Sequence, residues 1–105
     1  MKRGEVWWAD LSEPQGRRPV VLISLTEAYS KRLQVTVAPL TTRIRNLPIE
    51  VFLSVSDGVP KDCVVNLDMI ITVETKFLLN KICELSTEKI HEINKAIYFA
   101  LGLNE

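Results

Sequence analysis

The chain has 105 residues, 13 Lys/Arg against 13 Asp/Glu, and 47% hydrophobic residues, the size and composition of one soluble domain spanning 1–105. Zero net charge excludes a globally polyanion-coating protein, and no run reaches the ~20 apolar residues of a membrane helix. Four glycines, none in Walker or dinucleotide spacing, exclude the Gly-rich phosphate loops.

Met1 to Glu5 lacks the apolar stretch of a secretory signal. Glu5 to Asp10 reads as a strand, and alternation puts Trp7 and Trp8 on opposite faces. One ring belongs in the core; the other is a platform near a site or an interface residue. Leu11 to Gly16 is a loop containing Pro14 and Gly16. Pro19 to Ser24 is an unbroken apolar run, a strand buried on both faces. Pro19 lacks a ladder donor and belongs at its first position. Thr26 to Arg32 allows one or two helical turns, and Gln34 to Leu40 is a third strand in which Pro39 marks an edge or bulge. Thr41 to Pro48 is a cationic loop. Ile49 to Val55 is a fourth strand, Ser56 to Asp62 a turn, and Cys63 to Leu67 a fifth strand, with Met69 to Val73 continuing extended. Thr75 to Leu79 makes a single helical turn and Ile82 to Leu85 a short last strand. Ser86 caps a helix of about 15 residues with Ile90, Ile93, Ile97, Ala100 and Leu101 on one face, stopped by Gly102. Phe99 lies in the polar arc with Glu88, Glu92 and Lys95, as a partner surface or a local contact. Short strands, brief turns and one terminal helix predict a mainly β fold, a small, strongly bent barrel with the helix packed on it.

Charge is uneven along the chain. Residues 1–45 carry eight Lys/Arg against four acids, and residues 46–105 carry five against nine. Every arginine falls in the basic part, which points to a local polyanion site. Arg17-Arg18 stand where a loop turns into a strand, a rigid platform for two planar forks that match phosphate. Thr41, Thr42 and Arg43 follow the third strand, with Arg45, Lys61 and Asp68 beyond. His91 is the single histidine, on the terminal helix near its polar side. Cys63 and Cys83 lack metal-ligand spacing and read as small buried side chains in a reducing compartment. Neither a metal centre nor a His-based acid–base pair is expected, and no cofactor is called for. RNA brings its own nucleophile, the 2′-hydroxyl. Internal attack then needs proton steering and positive charge on the phosphorane, which Arg and a Thr hydroxyl can supply.

Three segments, Arg3-Gly4-Glu5-Val6-Trp7-Trp8-Ala9-Asp10-Leu11, Arg18-Pro19-Val20-Val21-Leu22-Ile23 and Val37-Ala38-Pro39-Leu40-Thr41-Thr42, resemble the MazF/PemK family of toxin endoribonucleases. The likeness continues through Asp62 to Asp68 and Thr72-Val73-Glu74 to the helix ending Ala100-Leu101-Gly102-Leu103, almost the whole chain. It implies an SH3-like small barrel, a cytoplasmic homodimer, and ribosome- and metal-independent cutting of single-stranded RNA at a short base sequence. It also implies 2′,3′-cyclic phosphate and 5′-hydroxyl ends, and neutralisation by a small antitoxin whose extended segment fills the RNA groove. By position, Arg18 matches the family's catalytic arginine and Thr41 its catalytic threonine. Arg17, Thr42, Arg43, Arg45, Lys61 and Asp68 are the RNA-binding candidates. The chain departs from the family pattern in a shorter first loop and in apolar Met69 and Ile71. Two other readings stand beside this one. A CcdB-like gyrase poison shares the fold but depends on a Trp near the C-terminus, where this chain reads Leu101-Gly102-Leu103-Asn104-Glu105. A barrel that binds RNA or a peptide without cutting would fit Met69 and Ile71.

Overall fold

Strands with apolar residues on both faces need a core on each side of the sheet, and the chain builds two. The computed structural model describes all residues from Met1 to Glu105. The strands are β1 (Glu5–Asp10), β2 (Arg17–Leu22), β3 (Gln34–Thr41), β4 (Glu50–Leu53), β5 (Cys63–Asn66), β6 (Ile71–Glu74) and β7 (Leu78–Glu84). Helix α1 (Ala28–Lys31) follows β2, and α2 (Thr87–Ala100) follows β7. All pairings are antiparallel. The sheet runs β4-β5-β3-β2-β1-β7, with β6 alongside β3. Because β4 and β7 do not pair, the curled sheet is an open half-barrel and not a closed one.

One core joins Val6, Val21, Ala38, Leu53 and Val65 to Ile93 and Ala96 of α2. The other joins Ala9, Val20, Leu22, Val35 and Val37 to Ala28 and Tyr29 of α1. Strand β2 therefore feeds both cores, as its unbroken run requires. Each fully buried Leu or Ile here is worth about 1.5–3 kcal/mol, so these side chains set the faces more firmly than propensity does. The Tyr29 hydroxyl accepts from the Ser24 N–H at 2.9 Å and donates to the Thr36 carbonyl at 3.0 Å, pinning α1 to the sheet. Trp7 packs on the second core and its indole N–H donates to Glu5 at 2.9 Å. Glu5 is 5% exposed. It also accepts from the Lys2 N–H at 3.1 Å and pairs with Lys81 of β7 at 3.1 Å. Burial raises the Glu5 pKa, but the Trp7, Lys2 and Lys81 contacts outweigh burial and hold it below the ordinary carboxylate value. This ion pair ties β1 to β7.

Several expectations change. β2 begins at Arg17, so Pro19 is its third residue; the ladder to β3 starts only at Val20↔Pro39, and the missing donor falls where β2 has β1 alone beside it. Pro39 is buried inside β3, in the gap where that strand stops pairing with β6 at Val37 and starts pairing with β5 at Leu40. The fourth strand stops at Leu53 because Ser54 caps a 3-10 turn at Val55–Asp57. Met69 to Val73 is not an extension of β5. A 3-10 turn at Leu67–Met69 redirects the chain so that β6 joins β3. The expected turn at Thr75–Leu79 closes after Phe77, and the last strand starts at Leu78, since pairing with β1 reaches Ala9↔Leu78. Ser86 caps α2 by accepting from the Lys89 N–H at 3.2 Å, and Gly102 follows at φ +67°. Leu101 is 60% exposed, outside the apolar face, because the helix ends at Ala100. Cys63 and Cys83 are free thiols in the α2-side core. Burial, then the Asp62 charge, pushes the Cys63 thiol up to about 11.

Gly4 enters β1 at φ +92°, with its absent Cβ lying 2.5 Å from Cδ1 of Ile90 on α2. Gly4→Ala should cost about 1–3 kcal/mol, chiefly from the left-handed backbone, read as a lower urea midpoint at unchanged m-value.

Candidate active site

The site begins as a fault in the sheet. β2 extends from Arg17 and β3 extends to Thr41, yet their shared ladder covers only Val20 to Leu22 on the β2 side. Pro19 has no N–H to give toward β3, and past it the strands part: β2 stays with β1 while β3 turns to β5 through Leu40↔Val65 and Thr41↔Val64. The Val20↔Pro39 register, continued two residues, sets Arg18 opposite Thr41. Alternation puts both on the face that carries Val20 and Pro39. They line one cavity of about 260 Å³, with Gln15 and Leu11 from the first loop, Arg43 from the cationic loop, and Asn66 at the end of β5. The fold thus brings Arg18, Thr41 and Arg43 to one cavity.

Arg18 is half-buried, and its guanidinium makes no ion pair or hydrogen bond within the chain. A partly desolvated guanidinium with five idle donors is poised for an anion. The Thr41 hydroxyl oxygen accepts from the Arg43 N–H at 3.2 Å, which leaves its hydrogen free to donate. Arg43 is exposed, and its side chain is likewise unpaired. The cavity can therefore hold an oxyanion between one half-buried guanidinium, one hydroxyl and one exposed guanidinium.

The remaining candidates divide. Arg45 lines the cavity, but its Nε donates to Glu50 at 2.8 Å and its N–H donates to the same carboxylate at 2.9 Å. Its charge is thus shared with a side chain only 2% exposed, and Arg45 anchors the 41–49 loop. Arg17 points to the opposite face, 3.4 Å from Asn80 and over the Trp8 ring at 5.6 Å to its centroid. Thr42 and Lys61 line a second cavity with Trp8, Pro19 and Pro60, and Thr41 sits on the rim of both. Asp68 lies exposed on the Leu67–Met69 turn and lines neither cavity. Met69 and Ile71 do line the Arg18 cavity and form its apolar wall. Sequence reading passed over Gln15 and Glu50 as site residues. A loop glutamine carries no periodic signal, and only the fold reveals that Glu50 reaches back five residues to Arg45.

Burial raises the Glu50 pKa, but the N–H groups of Arg45 and Leu47 and the Arg45 guanidinium outweigh that and hold it below the ordinary carboxylate value. A lowered carboxylate pKa means that the contact survives as pH falls through the usual carboxylate range and is lost only below it. Glu50→Gln should release the loop already at pH 7, seen as faster amide exchange at Arg45. The unsubstituted chain should retain protection at pH 5.

A family model described as "PemK-like, MazF-like toxin of type II toxin-antitoxin system" matches residues 2–101. A probable endoribonuclease, MazF5 of Mycobacterium tuberculosis, is 40% identical over 100 residues, covering 94% of this chain and 91% of that protein. The endoribonuclease MazF of Staphylococcus saprophyticus is 36% identical over 112 residues, covering 99% and 93%. Among solved structures, a mycobacterial endoribonuclease in complex with its cognate antitoxin superposes with a TM-score of 0.88 at 30% identity, covering 98% of this chain and 96% of that one. With its two-core half-barrel and a match from end to end, the chain belongs to the PemK/MazF family of type II toxin–antitoxin toxins.

Proposed function

We propose that this chain, a MazF-type toxin endoribonuclease, cuts single-stranded RNA by internal transesterification, with Arg18 and Thr41 as its catalytic residues. The observation that carries the reading is the unpaired, half-buried Arg18 guanidinium sharing one cavity with the Thr41 hydroxyl. The 2′ oxygen attacks the adjacent phosphorus and the P–O5′ bond breaks, leaving a 2′,3′-cyclic phosphate and a 5′-hydroxyl. The phosphorane's growing negative charge falls where Arg18 already points its donors, and Thr41 holds a non-bridging oxygen. Arg18 also takes part in proton transfer to the departing 5′ oxygen, while the 2′ proton leaves to water in the open cavity. The nucleophile is intramolecular, so the step requires no metal. Arg43 guides the strand backbone, and Arg17 and Lys61 add positive charge along its path.

The same cationic cleft suits an extended antitoxin segment, the type of partner named for the mycobacterial relative. No helix is long and apolar enough to cross a membrane, and an RNA substrate and two free thiols call for a reducing cytoplasm. The C-terminal end of the chain exposes Tyr98, Phe99, Leu101 and Leu103, 46–60% each. A second copy covering this apolar patch gives the expected homodimer.

Arg18→Ala should lower cleavage of a long RNA by at least about 10²–10³-fold, the scale for losing one preorganised donor. Thr41→Val should lose less, and both proteins should keep the parent's circular dichroism. Cutting should persist in EDTA and stop when the nucleotide 5′ to the scissile bond is 2′-deoxy. Undiminished cutting by Arg18→Ala, or cutting that EDTA abolishes, refutes the mechanism.

A further inference from the structure

The second cavity has no part in the chemistry just described, yet it opens beside it. It lies on the α2-side face of the sheet: Trp8 pairs with Pro19 across β1 and β2, and alternation sets both, with Leu40, opposite to Arg18. At about 180 Å³ it is below the ~300–1,000 Å³ of drug-sized ligand sites, the scale of a single flat ring. Its walls are the Trp8 indole and the rings of Pro19 and Pro60, and its polar groups are Thr41, Thr42 and Lys61. Lys61 is exposed and has no ion pair or hydrogen bond within the chain. Arg17 is not in the lining. It lies over the indole from outside, tethered to Asn80, and holds the ring in place.

Resting on the reading of the Arg18 cavity as the scission site, we infer that the Trp8 cavity takes the base of the nucleotide adjoining the scissile phosphate, and that this base carries a keto oxygen at the ring position (C4 of uracil, C6 of guanine) where cytosine and adenine carry an amine. Three features on the page converge on that occupant. Aromatic rings with a cationic rim are the pattern of single-strand binding, in which each base stacks on a side chain. Thr41 borders both cavities, so a strand whose phosphate sits between Arg18 and Thr41 passes directly over the end of β3 into the Trp8 cavity. Lys61 is the one charged group in the lining and has donors only. It therefore favours O4 of uracil or O6 of guanine over the amine that cytosine and adenine carry at the same ring position. Trp8 and Lys61 are thus specificity residues: they select where the chain cuts and do not perform the cut.

The test compares Trp8→Leu, which keeps apolar bulk without an aromatic face, with Trp8→Phe, which keeps the face, and with Lys61→Met. All three should retain the parent's thermal melting within a few degrees. End-mapping of a long RNA should give the parent protein a U or G preference at one position flanking the cut, which tells uracil from guanine. Trp8→Leu should raise KM on a short oligonucleotide about tenfold at near-constant kcat. Trp8→Phe should restore most of that loss, and Lys61→Met should admit cytosine and adenine at the same position. An independent readout needs no cleavage: in Arg18→Ala protein, a uridine- or guanosine-containing oligonucleotide should quench tryptophan fluorescence, and Trp8→Leu should abolish the quench. Cutting with an unchanged site map and KM in Trp8→Leu overturns the inference and leaves the cavity to a side chain of a protein partner. A quench that survives in Arg18→Ala, from a parent that cuts nothing, retains the base site and overturns the scission reading instead.

Discussion

A proline that cannot donate a hydrogen bond helps hold the site open. The Ile23 N–H donates to the Thr36 carbonyl, so by alternation Pro19 is the next β2 position after Val21 to face β3, and it has no N–H with which to carry the ladder on to Leu40. Instead the ladder stops at Val20↔Pro39, β3 transfers its pairing to β5, and the two strand ends form the walls of a cleft. The pairing that remains below the prolines is rigid because Val20, Val21 and Leu22 are fully buried between two cores. A site made at the parting of two well-packed strands needs little reorganisation to present its donors, which is where most of the catalytic benefit of fixed polar groups arises.

The same economy governs charge. A chain with equal numbers of acids and bases creates a cationic cleft by choosing which bases to neutralise. Lys2 pairs with Glu84, Lys31 with Glu27, Arg45 with Glu50, Lys76 with Glu74, Lys81 with Glu5 and Lys89 with Glu92. Arg18, Arg43 and Lys61, which border the two cavities, have none. Apart from Arg45–Glu50 and Lys81–Glu5, whose carboxylates are buried, these pairs are exposed and add little stability. Their effect is on the field, since they neutralise six bases and leave Arg18, Arg43 and Lys61 at the cavities among those without a partner.

Legibility from the sequence followed how local the physics is. The Ser86 cap, the two-sided burial of β2 and the opposed faces of Trp7 and Trp8 depend on neighbours in the chain, and each is as expected. Arg18 and Thr41 could be nominated from their positions at a strand start and a strand end, but their meeting depends on a register between strands that no local pattern states. The role of Glu50, the redirecting turn at Leu67–Met69 and the absence of Asp68 from the cavity are long-range outcomes of that kind. Leu101 misled because helical periodicity was continued one residue past the helix end. The small, bent barrel with a terminal helix was legible from many short strands; that it stays a half-barrel, with β4 and β7 unpaired and α2 on the α2-side core, depends on strand registers that no local pattern states.

The short first loop acquires a physical role from this geometry. With β1 ending at Asp10 and β2 starting at Arg17, the connection is too brief to fold over the cleft as an independent lid. Leu11 and Gln15 instead form part of its fixed wall, held by the Leu11 N–H donating to the Gly16 carbonyl at 2.9 Å and the Gly16 N–H donating to the Ser12 carbonyl at 2.7 Å. If the chain discriminates among RNA sequences as proposed, that discrimination does not depend on closure of the loop. It has to reside in groups already in position, and of the two faces that meet at Thr41 only one offers an aromatic surface. On the proposed reading, a preformed cleft with charge on one side and a flat apolar platform on the other separates two tasks: Arg18 would hold the phosphate, and the base beside it would decide whether the strand stays.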